Sequence, residues 1–328
     1  MREFAYTRPE RAEEAVRLVA AGDAAYLAGG TNLVDLMKLG VARPGLLVDI
    51  TALGLDFVTG LPGGGLRIGA GTRNSDLAAS PLVRRGYPVL AQAILAGASG
   101  QLRNLATVGG NLLQRTRCSY FQDLSKPCNK RSPGSGCPAR TGEHHNLAIL
   151  GASERCIATH PSDMAVALSA LGAVVHVREP DGEREIPLAD FYLLPGDRPD
   201  RETALHPAAL ITAVDVPPLP FARISAYRKV RERASYAFAV GSLAAAIDVA
   251  DGTVRDVRLS FGALAPMPWR ARLAEEVLRG QPVSPEAFRD AAARELAAAT
   301  PLRDNAYKID VITAATVQTL CDLTGVTP

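Results

Sequence analysis

Four of the chain's five cysteines fall within the 39 residues from Cys118 to Cys156, out of 328 in all. The stretch is polar and punctuated by proline and glycine: it reads TRCSYFQDLSKPCNKRSPGSGC and closes on SERC. The spacing, Cys118-x9-Cys128-x8-Cys137-x18-Cys156, holds no CxxC pair, no Cys/His pattern typical of structural zinc and no ferredoxin run. Four thiolates gathered by an irregular loop still make a complete ligand set for one metal centre. Pro127, Pro133, Gly134, Gly136 and Pro138 provide the turns, while Lys126, Lys130 and Arg131 could offset negative charge. Four unrelated thiols are the competing reading. Cys321 lies in a helical stretch and reads as a buried small hydrophobe. His144 and His145 read as loop surface, and His160, ahead of Pro161, as a packing residue at a helix start.

Glycine marks a second chemistry. LAGGTNL (27–33) places two glycines, then Thr31 and Asn32, between a strand and a helix, and TVGGN (107–111) repeats the pattern with Thr107 and Asn111. Missing side chains let a ligand approach the backbone, and bare N–H groups at a helix start favour an anion. Neither stretch is GxGxxG or GxxxxGK[ST], so the Rossmann and P-loop readings fail, and a lone Gly-Gly is ordinarily a tight turn. Two such loops in two units could clamp one diphosphate, which points to a dinucleotide lying across a domain interface.

The elements around these residues follow from periodicity. FAYTRPERAEEAVRLVAAG reads as a strand, then a helix with Ala12, Ala15, Val16 and Val19 on one face. AAYLAGGTNLVDLMKLG reads as strand, glycine turn and a helix capped by Thr31 or Asn32, and GLLVDI as the next strand. LRIGAGTRNSDLAAS opens a second unit, with a helical YPVLAQAILAGASGQLRNL after it. Beyond the cysteines, HPSDMAVALSALGAVVHVRE reads as helix then strand, and ALITAVDVPPLP as a strand stopped by prolines. An Asp-Gly turn at 251–252 predicts a hairpin, followed by three helices. The units expected are roughly 1–58, 59–217 and 218–328. No repeat and no low-complexity segment interrupts them.

With 36 basic and 34 acidic residues the net charge is +2, and no basic run suggests a nucleic-acid surface. The longest uncharged apolar stretch, 234–247, is too short to span a bilayer. The N-terminal charges alternate, without the apolar core of a secretion signal, which reads directly as cytoplasmic.

Taken in order, YLAGGTNLVDLMKLG, LRNLATVGGNLLQ, THPSDMAVALSALGA and AYRKVRERASYAFAVGSLA resemble the FAD-binding subunit of the molybdenum hydroxylases, the family of xanthine dehydrogenase, carbon monoxide dehydrogenase and bacterial aldehyde oxidoreductases. The resemblance implies an α+β chain. A two-part FAD-binding domain of the PCMH-like, vanillyl-alcohol-oxidase type would fill 1–217, and a smaller α+β domain of the carbon monoxide dehydrogenase flavoprotein type 218–328. It implies that Leu27, Ala28, Gly29, Gly30, Thr31, Asn32 and Leu33 wrap the FAD diphosphate, with Thr107, Gly110 and Asn111 as a second clamp. Asp163 would sit by the cofactor, its competing role being a helix N-cap. Lys229 would lie at the flavin edge and stabilise the charge of the reduced ring, a surface lysine being the alternative. Leu210–Ile211 and Trp269–Arg270 match cofactor-proximal positions more loosely. Covalent flavins in this fold hang on His or Cys. None precedes Cys118 or His144, so FAD should be non-covalent.

Within the family, the cysteine pattern with CNKR and PGSGC resembles the subset with a 4Fe–4S cluster in this subunit, as in the periplasmic bacterial aldehyde oxidoreductase. A cluster-bearing subunit of 4-hydroxybenzoyl-CoA reductase is the less similar case. The resemblance implies Cys118, Cys128, Cys137 and Cys156 as cluster ligands. It further implies partners: a large molybdopterin subunit that oxidises an aldehyde, and a small subunit whose two 2Fe–2S clusters pass electrons to FAD here, then to an external acceptor. A partner with a twin-arginine signal would carry the folded complex to the periplasm. A xanthine or N-heterocycle dehydrogenase, and a zinc-stapled assembly subunit without redox activity, are the alternatives.

Overall fold

The computed structural model describes residues 1–328. Three short strands, β1 (Ala5–Thr7), β2 (Ala24–Leu27) and β3 (Leu46–Asp49), form a parallel sheet in the order β1-β3-β2. Parallel neighbours need crossovers. The helix Ala12–Ala20 supplies one, packing Ala15 and Val16 against Val48 of β3 and Leu210. The helix Leu33–Lys38 supplies the other.

The second unit is a five-stranded antiparallel sheet of β4 (Val58–Gly60), β5 (Leu66–Gly69), β6 (Val174–Glu179), β7 (Gly182–Pro187) and β8 (Leu210–Val216), in the order β4-β5-β8-β6-β7. Alternation sends Leu66, Ile68, Val175, Val177, Val214 and Val216 to one face. There they meet helices Asn74–Ala79, Pro88–Ala96 and Asp163–Ala170 in the largest core of the molecule. The last of these helices is apolar nearly all round, as a helix packed on several sides must be.

The third unit begins after the prolines at 217–218. β9 (Ser225–Val230), β10 (Gly241–Ala250), β11 (Thr253–Gly262) and β12 (Trp269–Arg270) form an antiparallel sheet. The turn between β10 and β11 is the expected Asp-Gly pair, with φ of 51° at Asp251 and 70° at Gly252. Leu243, Ala245 and Ile247 of β10 pack against the helices Pro285–Leu296 and Lys308–Thr324, whereas Ala244 joins the core of the second unit. β10 is thus buried on both faces and forms the seam between the units.

Three local features depart from the sequence reading. The helix expected through 87–105 breaks at Gly97–Ala98, where Ala98 takes φ of 51°. The TVGGN stretch is not a loop: Val108–Leu112 is a short helix with Thr107 as its N-cap. Strand β7 pairs with β6 as a hairpin that the polar sequence GEREIP does not announce.

Candidate functional site

The three units surround one cavity of about 1020 Å³. Its wall takes in Gly29–Asn32 from the first glycine stretch, Gly110 and Asn111 from the second, Asp163, Lys229 of β9, Ser242 of β10 and Gly262 of β11. The two glycine stretches approach each other directly. A Cβ added to Gly29 would lie 1.8 Å from the carbonyl oxygen of Leu105, two residues before Thr107, so only glycine allows that approach.

Each clamp has its polar groups arranged. Thr107 Oγ1 accepts from the Gly110 N–H at 3.3 Å, and Asn111 Oδ1 accepts from Ser162 Oγ at 2.6 Å and from Gln114 Nε2 at 2.8 Å. Asn32 Oδ1 accepts from the Arg115 N–H at 3.1 Å, while its Nδ2 is buried without a partner. Of the residues expected here, Leu27, Ala28, Leu33 and Thr107 support the wall from behind rather than line it. Ile211 is 4 % exposed and packs behind Gly109, and neither it nor Leu210 reaches the cavity. Trp269 and Arg270 are also elsewhere. The indole N–H donates to Glu295 at 2.8 Å, and Arg270 donates to the carbonyls of Ser169 and Ala170 at the end of the helix Asp163–Ala170.

Asp163 and Lys229 meet in the same wall. Lys229 Nζ donates to Asp163 Oδ2 at 2.8 Å and to the Ala96 carbonyl at 3.1 Å, and Tyr227 donates its hydroxyl to Asp163 Oδ1 at 2.6 Å. The helix N-cap is Ser162, whose hydroxyl accepts from the Ala165 N–H, so Asp163 is free for this network. Lys229 is no surface lysine: its side chain is 4 % exposed. Two of the three ammonium donors are used, which leaves one for a ligand. Burial raises the Tyr227 hydroxyl well above its ordinary pKa, with the Asp163 carboxylate beside it adding to the effect.

Asn74 and Ser242 were given no role from sequence, yet both line the cavity with buried polar atoms, Asn74 Oδ1 and Ser242 Oγ, that have no partner. His160 Nε2 is a third such atom on the wall. Burial pulls the His160 imidazole down to about 4, so it is neutral near pH 7. Buried polar groups are rarely left unpaired. Together with the bare glycines, these atoms give a cradle suited to a large polar ligand, and the residues fit a dinucleotide.

The four clustered cysteines are free thiols around one small second cavity, and Cys118 belongs to the walls of both cavities. Peptide N–H groups of Tyr120 and Phe121 point at Cys118, those of Ala139, Arg140 and Ile157 at Cys137, and that of Ala158 donates to Cys156 at 3.5 Å. Such donors stabilise sulfur-borne negative charge, and the donor set fits a cluster held by four cysteines. No group of three or more His, Cys, Asp or Glu side chains is drawn together tightly enough to hold a single metal ion. Lys130 is buried, donating to the Pro199 carbonyl at 3.0 Å and to Glu202 at 2.9 Å, which pins the cysteine stretch to the segment before β8.

His144 departs from its reading as loop surface. It is 2 % exposed, with Nδ1 against the Ala139 carbonyl and Nε2 accepting from the Asp304 N–H at 3.1 Å. His145 is exposed, as expected, and stacks on Tyr307 with ring centroids 4.6 Å apart. Cys321 is fully buried.

Comparison with known proteins agrees with this architecture. The FAD binding domain in molybdopterin dehydrogenase matches residues 2–219, and the CO dehydrogenase flavoprotein C-terminal domain matches 225–321. The chain is 51% identical over 313 residues, 94% of each chain, to the aldehyde oxidoreductase FAD-binding subunit PaoB of Escherichia coli (strain K12). It is 27% identical over 96% of each chain to the glyceraldehyde dehydrogenase medium chain of Sulfolobus acidocaldarius. Among solved structures, a chain of the carbon monoxide dehydrogenase of Hydrogenophaga pseudoflava superposes with a TM-score of 0.74 at 26% identity, over 98% of this chain and 96% of that one. Two domain matches in order along one fold, with such a relative across nearly the whole length, make the chain a member of the FAD-binding medium subunits of molybdenum hydroxylases, a family of oxidoreductase flavoproteins.

Proposed function

We propose that the chain is the FAD-carrying subunit of a molybdenum-dependent aldehyde oxidoreductase and that it also holds a 4Fe–4S cluster on Cys118, Cys128, Cys137 and Cys156. The observation that carries the flavin half is the cavity between the two glycine clamps and the Lys229–Asp163 pair. The aldehyde half rests on the 51% identity to an aldehyde oxidoreductase subunit, and the cluster on four free cysteines around one cavity. A flavin bound here supplies one- and two-electron redox chemistry.

The chain's own groups bind and orient. Gly29 to Asn32 present backbone and amide groups to the diphosphate, and Asn111 presents its side-chain amide beside the bare backbone of Gly110. Thr107, by accepting from Gly110, fixes the direction of the second clamp, while Leu27, Ala28, Leu33 and Ile211 hold the walls in place. Lys229 pairs with Asp163 and offers one remaining N–H to the ring. Neither glycine stretch carries His or Cys, and with Cys118 assigned to the cluster and His160 buried, FAD is held without a covalent bond on this reading. Aldehyde oxidation to a carboxylic acid belongs to a large molybdenum subunit, a small 2Fe–2S subunit stands between, and an external acceptor receives the electrons. A partner's export signal would decide whether the complex works in the cytoplasm or the periplasm.

An affinity tag on this chain, expressed in its native cell, tests the reading. The account expects a co-purifying complex with molybdenum and 2Fe–2S iron that oxidises aromatic aldehydes. A complex that oxidises xanthine and leaves aldehydes untouched would overturn the substrate assignment.

A further inference from the structure

Eight buried side-chain nitrogen or oxygen atoms have no hydrogen-bond partner, and five of them, on Asn32, Asn74, Arg117, His160 and Ser242, belong to residues in the wall of the one large cavity. Ser242 is the most enclosed of the five, at 1 % exposure. It sits on the seam strand β10, in a cross-strand row in which its register partners are Lys229 on β9 and Gly262 on β11. Directly paired residues project from the same face of a sheet. The row therefore presents an ammonium, a hydroxyl and a bare backbone side by side to the cavity, and all three residues line it.

The Tyr227 oxygen lies near the Ser242 hydroxyl, but no protein group meets that hydroxyl in good hydrogen-bond geometry. Tyr227 commits its O–H to Asp163, and Lys229 commits two donors to Asp163 and Ala96. Gly262 has no side chain to offer. A Cβ there would lie 2.3 Å from Ser242 Oγ and 2.6 Å from Val166, so glycine is what leaves room for the serine. The neighbours along β10, Leu243 and Ala244, are apolar and fully buried. A serine in such a strand costs stability unless something outside the chain satisfies it.

We propose that Ser242 is a cofactor contact, its hydroxyl hydrogen-bonding a polar atom on the flavin ring beside Lys229. This rests on the flavin reading above. It makes Lys229, Ser242 and Gly262 one recognition row, with the serine supplying the hydrogen bond and the glycine the close approach.

The test uses the full-length chain, freed of flavin, as wild type and as Ser242→Ala and Ser260→Ala. Ser260 is a fair control: it lies on β11, is fully buried with an unpartnered hydroxyl, and is not part of the cavity wall. FAD affinity is read by fluorescence titration, the flavin midpoint potential by spectroelectrochemistry, and the thermal midpoint of each flavin-free protein by circular dichroism. The expected result is FAD binding about fivefold weaker in Ser242→Ala, the loss of one neutral hydrogen bond, with a shifted potential and no fall in the flavin-free thermal midpoint. Ser260→Ala should bind as wild type does. Unchanged affinity and potential in Ser242→Ala would overturn the proposal while leaving the flavin reading standing. A lowered flavin-free midpoint with equal losses in both variants would overturn it too, by making the serine structural. A wild-type chain that binds no FAD would bring down the flavin reading itself, and this proposal with it.

Discussion

At the scale of single residues, the site depends on where side chains are missing and where polar ones are stranded. Gly29 is the clearest case, because the Leu105 carbonyl occupies the place of a side chain. Gly29→Ala should force the clamps apart at a cost of about 1–3 kcal/mol, lowering FAD affinity at least about tenfold in a chain that still folds by circular dichroism. Unchanged affinity would mean that the approach of the two stretches is incidental. Two Gly-Gly pairs, each accompanied by a Thr and an Asn, made both clamps legible in the sequence. Asn74 and Ser242 were not legible, since a lone polar residue in an apolar run shows its meaning only when its missing partner is seen.

Lys308 belongs at the same scale. It is fully buried and carries no carboxylate partner, donating instead to the carbonyls of Leu147 at 3.0 Å and Ala263 at 2.8 Å. Burial pulls its pKa down to about 7 from an ordinary 10.5. Between those values the unfolded chain binds a proton that the folded chain does not, so this residue makes stability rise with pH and withdraws that stability as pH falls through about 7. Urea unfolding from pH 7 to pH 9 should show wild type gaining on Lys308→Met by up to about 1.4 kcal/mol per pH unit. Parallel profiles for the two proteins would contradict a neutral buried amine.

At the scale of elements, strands and helices were mostly readable, because alternation and amphipathic spacing match single-faced burial. The Asp-Gly hairpin formed where the dipeptide placed it. Gly252→Ala should cost about 1 kcal/mol in thermal unfolding through its positive φ, with the cavity unaffected. What escaped reading was tertiary. Ala98 takes a left-handed conformation that no local signal marks, β7 finds its place through pairing alone, and His144 is buried by a C-terminal segment 160 residues away. The cysteine segment is the element most open to test. Cys137→Ser should lose most of the protein's iron and keep its FAD, since Cys137 lines only the second cavity. Iron content equal to wild type would remove Cys137 from the ligand set.

At the scale of the whole molecule, no single unit owns the site. The first gives Gly29 to Asn32, the second Gly110, Asn111 and Asp163, and the third Lys229, Ser242 and Gly262. A ligand that spans all three binds only the assembled chain and so should stabilise it by mass action, by about 2.7 kcal/mol at a hundredfold excess over its dissociation constant. The prolines at 217–218 and the two domain matches, ending at 219 and starting at 225, fall in the same short connection. The central claim is that this chain carries both flavin and cluster, and the most direct measurement is the visible spectrum of the anaerobically purified protein with its iron, sulfide, zinc and flavin content per chain. The account predicts about four irons with acid-labile sulfide, the full ligand complement of four cysteines, and a flavin released on denaturation. One zinc with no flavin would contradict it.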